Sequence, residues 1–342
     1  MRVRGGEWQM KKLDALKLAT SEVGSLPLHD DFEGARTNFK NATIDKLASG
    51  LDYPCYPQLP GTRANPMSMT LQFLLPLVRG NHGLDIRHGA VRQTGEITRP
   101  QEPIGVQRAL FFKELVACSD YPQAVKGLRA CVTGPFTLAS AIDRQNLLSS
   151  GAAKPAVISA LTEIIADSCD VLVRAGFALI SVDEPFFNNM LGRRVLFDYG
   201  ESYIIEQLNR IFHRIPCFSS IHVCGTVTPL TKKVLLTCDV DVVDHEFQSN
   251  PRNFEVYTLD ELRDNGKVLA FGCVSSTDPV IESVDQIAKT IERGMTAYGD
   301  NLLIKPDCGL GGLLGITSAY EIALGKLMNL VKASNLIRAT LA

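Results

Sequence analysis

Short apolar runs rich in β-branched residues alternate along the chain with longer stretches in which apolar residues recur every three or four positions. Runs of the first kind predict strands over Leu18–Val23, Leu84–His88, Leu128–Thr133, Ala178–Asp183, Phe218–Val223, Val240–Glu246, Val268–Val274 and Leu302–Pro306. Stretches of the second kind predict helices over Met67–Val78, Val106–Ala117, Ala156–Ala175, Tyr203–Ile215, Thr228–Thr237, Leu259–Asn265 and Asp285–Tyr298, with a closing helix over Ala319–Leu341. Eight strands alternating with helices make an α/β chain with a parallel sheet, and the expected architecture is a single (β/α)8 TIM barrel. Residues 1–16 read as an N-terminal extension and 17–342 as the barrel catalytic domain. The stretch Gly50–Pro66, with prolines at 54, 57, 60 and 66, fits neither pattern. It is expected to be a long loop on the active face, where it could bring Tyr53 or Tyr56 to the mouth as an acid.

Composition narrows the class. An apolar content of 45% in 342 residues supports one large core. The net charge of −2, with no long run of like charge, gives no footprint for nucleic acid or a membrane surface. No segment reaches the roughly 18 consecutive apolar residues of a membrane span, and no apolar signal region follows the basic start. Nine scattered cysteines, several inside apolar runs, do not resemble a secreted disulfide framework. The expectation is a soluble protein of the reducing cytoplasm that acts on a small molecule.

Four residues then stand out by position. His222 and Cys224 lie at the end of the fifth predicted strand, Glu246 at the end of the sixth and Cys308 just beyond the eighth. All are zinc-ligand types, and a two-residue spacing on an extended segment turns His222 and Cys224 to the same face. In a barrel the C-terminal strand ends carry the chemistry, so the four converge on one mouth. His245 competes with Glu246, because adjacent strand residues face opposite ways and only one can point inward. A thiolate-rich zinc site suits one task in particular. A free thiol has a pKa of about 8.5 and is mostly protonated near neutrality, whereas a metal-bound thiol is deprotonated. Thiol alkylation is therefore favoured over hydrolysis.

These residues resemble the C-terminal catalytic barrel of the cobalamin-independent methionine synthases, within the zinc thiol methyltransferases that share a barrel with uroporphyrinogen decarboxylase. The resemblance rests on Val23-Gly24-Ser25, Thr133-Gly134-Pro135, Val182-Asp183-Glu184-Pro185, His222-x-Cys224, Glu246 and Pro306-Asp307-Cys308-Gly309, from about residue 20 to 315. It implies that zinc is held by His222, Cys224, Glu246 and Cys308, with Glu246 rather than His245 as the third ligand. It also implies that Val23 and Ser25 hold the carboxylate of homocysteine. By the same resemblance Asp183 would pair with the ammonium, making it both the catalytic and the substrate-binding acid. The plainer roles are a turn residue beside Gly24 for Ser25 and, for Asp183, a cap of the helix after the fourth strand.

The departures bear on the methyl donor. The N-terminal half of the long family members has no counterpart here. Leu138-Ala139-Ser140-Ala141 stands where the family stacks a tryptophan on folate, and the single tryptophan, Trp8, is near the terminus. Thr277 occupies the slot of a histidine acid, and Ala90 that of a second ammonium-binding glutamate, for which Glu96 is a conceivable substitute. A folate nitrogen losing its methyl group needs a proton, while a reduced corrinoid leaves without one. The expected donor is thus methylcobalamin, free or on a corrinoid protein, rather than 5-methyltetrahydrofolate. No Asp-x-His-x-x-Gly signature is present, so the corrinoid would arrive as a co-substrate. The alternatives are a methyltetrahydrofolate-dependent methionine synthase, alkylation of another thiol such as coenzyme M (for which Arg63, Arg87 and Arg92 would supply cationic partners), and a zinc-sensing or corrinoid-binding protein without turnover.

Overall fold

A computed structural model of the chain describes residues 13–28, 35–59, 69–121, 125–142, 155–190 and 200–341. Trp8, Arg63 and positions 60–66 of the proline-rich stretch lie outside these residues. Six parallel strands form the main sheet in chain order: β3 (Arg129–Thr133), β4 (Leu179–Asp183), β5 (Phe218–His222), β6 (Val242–Glu246), β7 (Val268–Val274) and β8 (Leu302–Pro306). All six lie within expected strands and are buried along their length apart from the last residue of β6, the pattern of a sheet covered on both faces.

The ring is completed by two segments too short to form regular strands. Thr20 bridges Ile304 of β8, Ser21 bridges Tyr53, and Cys55 bridges Arg129 of β3, all in parallel. The amides of Ser21, Tyr53 and Arg129 donate to the carbonyls of Ile304, Thr20 and Pro54 at 2.9, 2.9 and 3.0 Å. The second barrel position is therefore held by residues 53–55, which the sequence pattern assigned to a loop. Pro54 has no N–H to give to a ladder, so pairing there is interrupted and the usual strand signal is absent.

The expected second strand, Leu84–His88, belongs elsewhere. It supplies β1 (Leu84–Arg87), which pairs antiparallel with β2 (Ala90–Gln93) in a separate hairpin. His88 and Gly89 both adopt positive φ, 52° and 74°, the backbone of a two-residue turn between antiparallel strands. The sequence analysis also passed over the helix Ala35–Ala48 (ARTNFKNATIDKLA), where apolar residues are too sparse for a clear stripe. The closing helix Ala319–Leu341 lies where expected.

Most of the core lies between the sheet and its outer helices. A second cluster closes the N-terminal end of the barrel, where Leu13, Leu16 and Tyr53 pack on Leu179, Phe218, Val242, Val268 and Leu303. Between this plug and the opposite mouth the interior turns polar, with Arg129, Ser181, Asp244 and Lys305 fully buried. No helix among the described residues is long and apolar enough to cross a membrane.

Candidate active site

His222 ends β5, Cys224 follows two residues on, and Cys308 stands two beyond the end of β8. Their ligand atoms form a tight triangle. His222 Nε2 is 3.2 Å from Cys224 Sγ and 3.4 Å from Cys308 Sγ, and the two sulfurs are 3.6 Å apart. A tetrahedral zinc with Zn–S of about 2.3 Å and Zn–N of about 2.0–2.1 Å sets its ligand atoms roughly 3.5–3.8 Å apart. The triad is thus within a few tenths of an ångström of the spacing a bound ion requires. The other imidazole nitrogen, Nδ1, lies 2.7 Å from Asp244 Oδ1 and carries a proton toward it, while Nε2 faces the sulfurs.

Electrostatics follow from that packing. Burial opposes charge on His222, but Asp244 and the Cys308 thiolate outweigh it and push the imidazole up to about 10. The contact between the two sulfurs holds Cys308 well below the usual thiol range and lifts Cys224 well above it. The triad without metal thus favours a thiolate beside an imidazolium.

Glu246, the last residue of β6, is half-buried at the same mouth and is not one of the three clustered residues. Its Oε1 accepts from the Gly225 amide at 2.6 Å and from Asn250 Nδ2 at 3.4 Å. His245 turns the other way, fully buried, with its Nε2 3.0 Å from the Tyr257 hydroxyl and burial lowering it to about 4.

Above the triad lies a cavity of about 290 Å³ lined by Val23, Ser25, Gln58, Asp183, His222, Cys224 and Cys308, among others. Asp183 stands beside His222 in the sheet register and is fully buried. Its Oδ1 accepts from the Ser181 hydroxyl at 2.7 Å, while Oδ2 has no partner among the described residues. Burial raises this carboxyl to about 6. No described helix amide bonds the Asp183 side chain, so it does not cap the helix after β4, and the neighbouring Glu184 caps the helix that follows β3 instead. Its oxygens accept from the amides of Phe136 and Thr137 at 2.9 and 2.7 Å, at the N-terminus of the helix Pro135–Ala141. Gly134 is required there, since a Cβ would come 2.2 Å from Glu184 Oε1.

Local packing also explains the other motifs. Buried Lys46 donates to Glu22 Oε1 at 2.8 Å and to the Gly24 carbonyl at 2.7 Å, fixing the Val23–Ser25 turn. Ser25 Oγ accepts from the Gly311 amide at 3.1 Å, and a Cβ on Gly309 would come 2.0 Å from that oxygen. Asp307 accepts from the amides of Phe247, Gln248 and Ser249, which ties the Cys308 turn to the segment after Glu246.

Several other expectations are placed by the same geometry. Tyr56 is buried, with its hydroxyl donating to the Cys131 carbonyl at 2.9 Å, and Tyr53 belongs to the bottom plug, so neither is an acid at the mouth. Leu138 and Ala139 are core residues, Thr277 is exposed, and Ala90 and Glu96 lie outside the described cavity lining. Arg87 is exposed and paired with Asp85, and the described lining contains no arginine. Sequence reasoning missed Asp244, Lys305 and Arg129, and gave no role to Glu184. The first three had a visible signal: a charged residue inside an otherwise apolar strand.

The profile of the family described as "Cobalamin-independent synthase, Catalytic domain" matches residues 102–335. A methionine synthase of Methanothermobacter marburgensis is 30% identical over 306 residues, covering 89% of this chain and 90% of that protein. A 5-methyltetrahydropteroyltriglutamate–homocysteine methyltransferase of Desulforamulus reducens is 24% identical over 97% of this chain but only 44% of its own length. Among solved structures, a B12-independent methionine synthase from Shewanella sp. W3-18-1, in complex with selenomethionine, shares the fold with a TM-score of 0.69. Identity there is 20%, over 95% of this chain and 98% of that one. With more than half its length matched by the family profile, and a relative aligned almost end to end, the chain belongs to the cobalamin-independent methionine synthase family of methyltransferases.

Proposed function

We propose that this chain is a zinc-dependent methyltransferase that converts L-homocysteine to methionine, with methylcobalamin or a methylated corrinoid protein as donor. One observation carries the reading. Three metal-ligand atoms, 3.2–3.6 Å apart, share a small cavity with a buried carboxylate whose second oxygen has no partner among the described residues. His222, Cys224 and Cys308 would hold the zinc, with Glu246 at the same mouth as the fourth ligand in this reading. Bound zinc supplies one piece of chemistry: it strips the proton from a thiol and keeps the sulfur as thiolate.

The remaining work falls to the chain. Asp183 Oδ2 accepts a charge-assisted hydrogen bond from the substrate ammonium, and Ser25 with the Val23 backbone receives its carboxylate. The absence of arginine from the described lining suits an amino-acid thiol better than a sulfonate such as coenzyme M. The sulfur then forms its bond to the methyl carbon as the cobalt–carbon bond breaks and its electron pair departs with cobalt.

The donor assignment rests on the missing acid. Among the described lining residues Asp183 is the only carboxyl, and the ammonium occupies it. Thr277 cannot protonate a leaving nitrogen near neutral pH. A corrinoid enters here as a co-substrate rather than a resident cofactor. Free thiols at Cys224 and Cys308 fit a reducing cytoplasm. A matrix of methylcobalamin and methyltetrahydrofolate against homocysteine and coenzyme M, with zinc assayed, tests the proposal. Methionine should form from methylcobalamin and homocysteine. Comparable turnover with methyltetrahydrofolate and no corrinoid would overturn the donor assignment.

A further inference from the structure

The polar layer beneath the triad is more specifically connected than a neutral filler would be. Lys305, on β8, is fully buried and uses all three of its donors. Nζ reaches Asp244 Oδ1 at 2.7 Å, the Pro306 carbonyl at 2.9 Å and the Asp307 carbonyl at 2.8 Å. Asp244 Oδ1 also meets His222 Nδ1 at 2.7 Å, and its Oδ2 accepts from Arg129 Nη2 at 2.9 Å. Lysine, aspartate and arginine are each 0% exposed.

One ammonium therefore grips both halves of the triad's support. Through Asp244 it fixes the imidazole, and through two successive peptide carbonyls it fixes the turn that ends in Cys308. Barrel interiors are ordinarily filled by branched apolar side chains. A buried ion pair is weak grounds for stability, since apolar replacements of similar volume are often neutral or better. Its connections, by contrast, lead directly to two of the three ligand atoms. A carboxylate on Nδ1 demands that this nitrogen keep its proton, so that Nε2, on the side of the sulfurs, is the nitrogen whose lone pair a metal would take.

We propose that Asp244 and Lys305 are positioning residues that hold His222 and Cys308 in register for metal binding, an inference that rests on the metal reading above. Cobalt(II), titrated into metal-free protein against a competing chelator, tests both. In the wild-type chain, thiolate-to-metal absorption should appear as the ion binds; its absence would defeat the metal reading itself. Lys305→Met should retain that absorption at saturation but require about 10–100-fold more cobalt to reach it, the usual cost of losing a partner behind a ligand. Equal affinity in K305M and wild type, with the wild-type absorption present, would overturn the positioning role alone.

Should K305M fail to fold, the pair Asp244→Asn with Lys305→Met removes one charge of each sign and is expected to show the same weakening. A measurement on the wild-type protein needs no variant. In zinc-loaded, ¹⁵N-histidine-labelled protein, His222 should carry its proton on Nδ1, in a hydrogen bond to carboxylate. A His222 protonated on Nε2 would contradict the proposal whatever the variants do.

Discussion

Asp183 has two oxygens with different partners, and the difference defines its role. Oδ1 is held by Ser181, while buried Oδ2 has no partner among the described residues, a cost that an ammonium bound in the adjoining cavity would offset. Asp183→Asn keeps the shape and removes the charge. It should raise the homocysteine KM by about 10–100-fold while zinc content per chain stays unchanged, as checked by steady-state kinetics alongside metal analysis. Parallel loss of metal would instead place Asp183 in the structural support of the triad. At this scale the sequence was informative where chemistry is rare. His222, Cys224, Cys308, Asp183, Val23 and Ser25 all meet at one cavity, as their positions at strand ends implied. The ambiguity of Asp183, cap of the helix after β4 or ligand, could not be resolved from residue type, because a carboxylate serves either role.

Elements place these residues through their junctions. The turn after β3 works because Gly134 leaves room for Glu184, which in turn caps the next helix. Burial pushes the Glu184 carboxyl up to about 7, from an ordinary value near 4.5. A raised pKa in the folded state means that its contribution is complete below about pH 4.5 and is lost as pH rises through about 7. The stability of wild type relative to Glu184→Gln should therefore shrink by about 1–3 kcal/mol between pH 5 and 8, measured by urea unfolding at each pH. A difference that is flat with pH, or grows, would show that Glu184 is ionised throughout. Strands β4, β7 and β8 were legible because burial on both faces writes near-continuous apolar runs, while β3, β5 and β6 carry polar residues inside shorter β-rich runs. Residues 53–55 were not, since Pro54 breaks the ladder they join, and Leu84–His88 misled because a hairpin strand carries the same local pattern as a barrel strand.

The whole molecule brings together groups that are 84 and 86 residues apart in sequence, Cys224 with Cys308 and His222 with Cys308, at sulfur–sulfur and nitrogen–sulfur distances suited to one ion. The parallel ring does this by setting the ends of β5 and β8 on one rim, with a buried charged layer behind them. The architecture could be read from alternation alone. That layer could not, because a charge in an apolar strand signals burial without naming its partner. The central claim is that the triad presents a substrate sulfur as thiolate. Zinc-edge X-ray absorption on the zinc-loaded protein, with and without homocysteine, measures it most directly. The account predicts two sulfur neighbours at about 2.3 Å in the resting protein and three after homocysteine is added. A sulfur count that stays at two while homocysteine is bound would contradict it.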